Sequence, residues 1–284
     1  MLHTLIIGIN DYPGTGSDLA GCANDARNWQ RVFGRRHRGA VRDKLDACPF
    51  FGSADSQRML LDGQATRPAC LSAIRSLLKL LMPRDLGVVV WSGHGTYVAD
   101  MSGDEPDRFD EALVCADGRV VIDDELGELF GRRMSGSRLL VITDSCHSGT
   151  ATRSAGPRLL GQTGVGDDLG RDLRVRFLPP AKLAANERSG WRTAPRRSPK
   201  LIDVIHLAAC QDDQFAADAM FQRPEGAFSH YAIDALCSLE PGATYADWCL
   251  AISQRLPNAK YDQEPQVNAY ARALSWKIPL RAKG

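Results

Sequence analysis

Val88-Val89-Val90-Trp91-Ser92-Gly93-His94-Gly95 and Leu140-Val141-Ile142-Thr143-Asp144-Ser145-Cys146-His147-Ser148-Gly149 decide the reading of this chain. Each is a short apolar run, rich in β-branched residues, that stops at small residues and presents one reactive side chain. Such a run bounded by Gly and Ser reads as a fully buried parallel strand. In an open α/β sheet, ligands bind beyond the carboxyl ends of the strands. His94 and Cys146 are therefore predicted side by side at two strand tips. The thiolate is the nucleophilic form of cysteine, and an adjacent imidazole can generate it.

Working outward, strands are expected at residues 5–9, 59–61, 86–91, 139–143, 204–209 and 266–270. Helices are expected at 24–33, from Thr66 and Pro68 to the stop at Pro83, and at 123–134, 229–239 and 245–256. Ala112–Cys115 and 120–122 flank Asp117-Gly118, a hairpin signal. The alternation of strand and helix argues one α/β domain over 1–284: a mostly parallel central sheet of about six strands with helices on both faces. Residues 151–200 break the alternation with five Pro, six Gly and little periodicity, so they read as a long functional loop.

The chain has 284 residues and a formal net charge of +1, which gives no sign of nucleic-acid or membrane partners. The loop is different. It carries eleven Lys/Arg against four Asp/Glu, and so sets a basic segment on an acidic body. Its shortage of interleaved aromatics also disfavours nucleic acid. The eight cysteines have neither zinc-ligand nor disulfide-framework spacing, and the start lacks the features of a signal peptide. A cytoplasmic monomer with free thiols is the expectation.

Gly95 and Cys146 could offer backbone N–H groups to an oxyanion. No side chain that would orient His94 is evident from the sequence. Asp144 lies two residues before Cys146, and Asp25 follows the first strand at the same sheet edge. Two carboxylates beside the nucleophile would bind Arg or Lys and repel Asp.

The ordered set of motifs resembles metacaspases and bacterial orthocaspases, relatives of the caspases. It comprises Ser92-Gly93-His94-Gly95, Asp144-Ser145-Cys146-His147-Ser148-Gly149, Gly8-Ile9-Asn10-Asp11-Tyr12 and Leu19-Ala20-Gly21-Cys22-Ala23-Asn24-Asp25-Ala26. Ala208-Ala209-Cys210-Gln211-Asp212-Asp213-Gln214, Gly226-Ala227-Phe228-Ser229 and Gln263-Glu264-Pro265-Gln266 extend it. His preceding Cys by about fifty residues is the caspase order.

The resemblance implies a caspase-like fold with a large-subunit-like part over 1–150, a processing loop over 151–200 and a small-subunit-like part over 201–284. It implies a cysteine endopeptidase with Cys146 as nucleophile and His94 as general base, acting on protein substrates. Asp25, Ser92 and Asp144 would line a pocket for Arg or Lys, and Cys22 would be a second cysteine near it. Some metacaspases bind activating Ca²⁺, and Asp110, Asp123 and Asp124 resemble three of the ligands; Arg153 stands where a further aspartate is expected. No other cofactor is implied. A loop arginine could fill the acidic pocket and hold a zymogen, to be cut by a second copy or an upstream activating protease. Arg153, Arg171, Arg174, Arg176, Arg188, Arg192 and Arg197 are the candidates. The alternative is a catalytically silent adaptor of the same fold.

Overall fold

In the computed structural model the two runs form β3 (Leu86–Ser92) and β7 (Arg138–Asp144), parallel neighbours paired from Leu86↔Arg138 to Ser92↔Asp144. The structure describes residues 1–34, 45, 48, 54–99, 109–146, 165–166, 172–184, 201–212 and 214–279. Beside β3 lies β1 (Leu2–Gly8), and beyond it β2 (Ser56–Leu61). On the other side β7 pairs with β10 (Val204–Ala208), and β10 with the antiparallel edge strand β13 (Gln266–Ala269). The order β13-β10-β7-β3-β1-β2 is the six-stranded, mostly parallel sheet read from the sequence.

Successive side chains of a strand point to opposite faces, and both faces of this sheet are apolar. Ile6, Val88, Val90, Leu140 and Ile142 enter one core with α1 (Cys22–Phe33), α4 (Ala227–Ser238) and α5 (Tyr245–Ser253). Ile7, Val89, Trp91, Leu139 and Val141 enter the other with α2 (Arg67–Leu80) and α3 (Asp123–Gly131). A buried two-faced sheet needs continuous apolar runs rather than alternation, which is why β3 and β7 were so legible. A short helix, α6 (Ala271–Leu274), is the last described element, and no described helix is long and apolar enough to cross a membrane.

Two smaller sheets sit at the carboxyl edge. β4 (Gly95–Ala99), β5 (Phe109–Val114) and β6 (Val120–Ile122) form an antiparallel meander, with Gly118 at φ +69° in its turn. The second has the order β12-β11-β9-β8: β8 (Val165–Gly166), β9 (Asp172–Val175), β11 (Ala217–Met220) and β12 (Pro224–Gly226). The stretch read as a featureless loop thus contributes two strands. They are too short to register as a period in sequence; β8 pairs with β9, and β9 with β11, about forty residues further along.

Cys48 and Cys237 are disulfide-bonded with their Cα atoms 4.5 Å apart, contrary to the expectation of free thiols throughout. Their 189-residue separation gives no spacing signal; tertiary packing alone brings them together.

The placement of α1 against β1 leaves no room at Gly8, where a Cβ would lie 2.5 Å from the Cys22 carbonyl oxygen and 2.7 Å from Ala26 Cβ. Gly8→Ala is therefore expected to lower stability by about 1–3 kcal/mol in urea unfolding. Gly63→Ala, at an exposed position with open space around it, should leave the unfolding midpoint nearly unchanged.

Candidate active site

β3 and β7 end abreast, and the chain departs from both tips at small residues. Past Ser92, Gly93 donates its N–H to the Asp144 carbonyl, and His94 precedes the turn into β4; Cys146 stands two residues beyond β7. Both reactive residues are buried. His94 Nε2 lies 2.6 Å from the Ser17 carbonyl oxygen, which only accepts, so the proton sits on Nε2. That leaves the lone pair on Nδ1, a buried atom with no hydrogen-bond partner. The Tyr12 hydroxyl accepts the His94 backbone N–H at 2.7 Å, and the two rings stand 4.6 Å apart. The missing orienting group is therefore a backbone carbonyl, which leaves no mark in a sequence.

Burial depresses His94 to about 4, against the hydrogen bond to Ser17, so the imidazole is neutral at physiological pH. The Cys146 thiol sulfur accepts the Ala216 N–H at 2.7 Å. Cys22, nearby, is raised well above the ordinary thiol value by burial. Its thiolate is thus disfavoured.

Asp25, Ser92 and Asp144 surround a guanidinium from the chain itself. Arg176 is completely buried, with Nη2 2.7 Å from Asp25 and 3.0 Å from Asp218, and Nη1 3.0 Å from Asp144. Nη1 also donates to Ser92 Oγ at 2.8 Å, and Ser92 in turn donates to Asp25 at 2.8 Å. α1 supplies Asp25 from its first turn, β7 ends on Asp144, and β11 supplies Asp218. The N–H groups of Gly226 and Ser229 hold Asp25 and Asp144 at 2.9 Å each. A Cβ at Gly226 would collide with the Asp144 carboxylate and the guanidinium, so only glycine lets β12 close the pocket.

Asp25, Ser92 and Asp144 are thus brought together around one side chain, and Asp218, absent from the sequence reading, joins them. Its strand, four residues long, carries no periodic signal that would aim it at β3 and β7.

The backbone of Arg176 is as specifically held as its side chain. Its carbonyl oxygen accepts from Gly95 N–H at 2.9 Å and Cys146 N–H at 3.1 Å, the two donors proposed for an oxyanion. Its own N–H donates to the Ala216 carbonyl at 3.0 Å, continuing the antiparallel pairing of Val175 with Ala217 and Arg174 with Asp218. Arg174 is exposed and donates to the Asp18 carbonyl. Arg153, Arg171, Arg188, Arg192 and Arg197 lie outside the described residues.

Asp110 is in β5, while Asp123 and Asp124 open α3. Among the described residues no three His, Cys, Asp or Glu side chains converge as a metal site, so no step below runs through calcium.

Residues 3–154 match the family model described as a metacaspase, peptidase C14 domain. Metacaspase-1 of Cryptococcus neoformans is 33% identical, over 93% of this chain and 61% of its own length. Metacaspase-1 of Schizosaccharomyces pombe is 31% identical over 93% and 66%, and metacaspase-1A of Aspergillus terreus 31% over 93% and 69%. The chain thus spans about three fifths of the Cryptococcus relative. A crystal structure of a protein from Geobacter sulfurreducens superposes with a TM-score of 0.71 at 26% identity, covering 99% of both chains.

Burial raises Asp25 to about 7, and Asp144 adds to the rise while Arg176 opposes it. The folded state therefore binds this proton more tightly than the unfolded chain, and stability drains as pH rises toward 7. Asn in its place has no such proton. The melting temperature of Asp25→Asn relative to wild type should climb from pH 5 to 7 and level off above it. A pH-independent difference would show that Asp25 is ionised throughout.

Proposed function

The chain belongs to the metacaspase family, and from that footing we propose that it is a cysteine endopeptidase cleaving after Arg, less readily after Lys. We read Arg176 as its own bound substrate residue. One observation carries this: a single residue has its guanidinium among three carboxylates and its carbonyl oxygen between the Gly95 and Cys146 N–H groups. The Arg176–Phe177 bond then lies where a scissile bond would lie.

In this scheme Cys146 gives its proton to His94 Nδ1, whose lone pair is available because Nε2–H is committed to Ser17. The thiolate attacks the carbonyl carbon, and Gly95 N–H and Cys146 N–H take the developing oxyanion. His94 passes the proton to the departing amide nitrogen, leaving a thioester on Cys146. Water, deprotonated by His94, then releases the acid and restores the thiol. The sulfur first has to leave the Ala216 N–H, where it rests with the segment docked. That resting position supports an uncut chain as a latent state, with β9 and Arg176 blocking other substrates.

Guanidinium is favoured over ammonium because Asp25, Asp144, Asp218 and Ser92 surround it with acceptors that a planar fork can reach together. A silent adaptor is the weaker reading, because the proposed base has an unpartnered Nδ1 and Gly95 N–H and Cys146 N–H hold one carbonyl between them.

Cys146→Ala and His94→Ala should each cut hydrolysis of an Arg-containing peptide by several orders of magnitude, and the double variant by little more. Near-normal turnover by Cys146→Ala would sink the peptidase reading.

Self-processing should yield fragments 1–176 and 177–284, the second beginning at Phe177 by N-terminal sequencing. Arg176→Gln should abolish this cut and leave the uncut chain more active on added Arg peptides than the uncut wild type. Arg176→Lys should restore the cut at a reduced rate. If processing occurs elsewhere and Arg176→Gln changes neither rate, Arg176 does not gate the site.

A further inference from the structure

We propose that the site also selects the residue on the leaving side of the scissile bond, and that Tyr97 and Phe215 make it favour a large aromatic there. The inference rests on reading Arg176 as the residue before that bond. Phe177 follows it, so the Phe177 nitrogen is the leaving amine and the Phe177 side chain marks the next subsite. That side chain is buried. The Tyr97 ring stacks on it with centroids 6.0 Å apart and planes 19° apart, and Phe215 packs against it at 6.1 Å and 59°. Phe109 braces Tyr97 edge-on at 5.0 Å and 81°.

The backbone fixes the register. Gly95 donates its N–H to the Arg176 carbonyl and accepts the Leu178 N–H on its own carbonyl, so it brackets Phe177. Tyr97 lies two residues further along the same strand, β4. One strand therefore supplies both an oxyanion donor and the wall of the neighbouring subsite. A ring there keeps offset and tilted contacts with two others, whereas a small residue loses them and a carboxylate is desolvated against ring faces. The two selections are chemically separate. Asp25, Asp144 and Asp218 read the residue before the bond, while Tyr97 and Phe215 read the one after.

The test uses full-length protein incubated until the cut fraction on a gel is constant. Quenched-fluorescence peptides carry Arg followed by Phe, Leu, Gly or Asp and are otherwise identical. The expected kcat/KM is about tenfold higher for Phe than for Gly, and lowest for Asp. Tyr97→Ala and Phe215→Ala should each compress the Phe-to-Gly ratio while the preference for Arg over Gln before the bond keeps its wild-type value. A merely structural role would degrade both preferences together. Tyr97→Phe, which keeps the ring, should retain the Phe-to-Gly ratio. In the chain's own bond, Phe177→Gly should slow the appearance of fragment 1–176. Equal cleavage of the Phe, Gly and Asp peptides, or alanine variants that keep the ratio, overturns this proposal and leaves the Arg-directed peptidase standing. Cleavage of none of the peptides overturns both.

Discussion

One fully buried guanidinium among three buried carboxylates organises the carboxyl edge of this protein. A charge taken out of water costs several kcal/mol unless partners replace its hydration. Arg176 meets that requirement with Asp25, Asp144, Asp218 and the Ser92 hydroxyl. The carboxylates carry more charge than one arginine neutralises. The site answers with backbone donors from Gly226, Ser229, Gly21 and Ala20, and with a proton held on Asp25 up to about pH 7. Four elements far apart in sequence, α1, β7, β11 and the start of α4, are thereby tied to one side chain. An empty pocket would leave the same carboxylates facing one another, so a cation is what this arrangement is built around.

The second constraint is steric, and glycine meets it twice. β12 can lie over the pocket only because Gly226 has no side chain to strike Asp144 and Arg176. α1 can bring Asp25 beneath the strand tips only because Gly8 lets the helix backbone approach β1. The electrostatic site thus depends on close backbone packing at two positions that can carry no side chain.

Much of this was legible beforehand, for reasons that differ by element. β3 and β7 declare themselves because a two-faced buried sheet demands unbroken apolar runs, and their abrupt ends at Ser92-Gly93 and Asp144-Ser145 locate His94 and Cys146. Asp25 and Asp144 follow from strand order and charge. Asp218 and the Ser17 carbonyl do not follow. The first sits on a four-residue strand whose position is set by partners distant in sequence, and the second is a backbone atom. That Arg176 is seated among these carboxylates is likewise a matter of register. Val175 opposite Ala217 puts the next residue over the strand tips, and a shift of one residue would send its side chain to the other face.

Under the proposed self-processing, register also bears on how a self-bound segment acts as a switch rather than a permanent plug. While the chain is intact, β9 is held from both ends. Upstream it is tethered to Cys146 through residues 147–171, and downstream Phe177, Leu178 and Leu183 are buried, with Leu178 bonded to Gly95. Such docking is intramolecular, at an effective concentration on the order of millimolar, which a dilute substrate cannot match. On the proposed reading, breaking the bond after Arg176 removes the downstream anchor. A strand held from one end is a weaker intramolecular competitor than one held from both. The proposed cut also turns the Arg176 carbonyl into a carboxylate, which alters its fit between the Gly95 and Cys146 N–H groups. In the proposed switch an incoming arginine therefore meets a competitor that has lost its downstream anchor, and the balance shifts toward substrate without any rearrangement of the sheet.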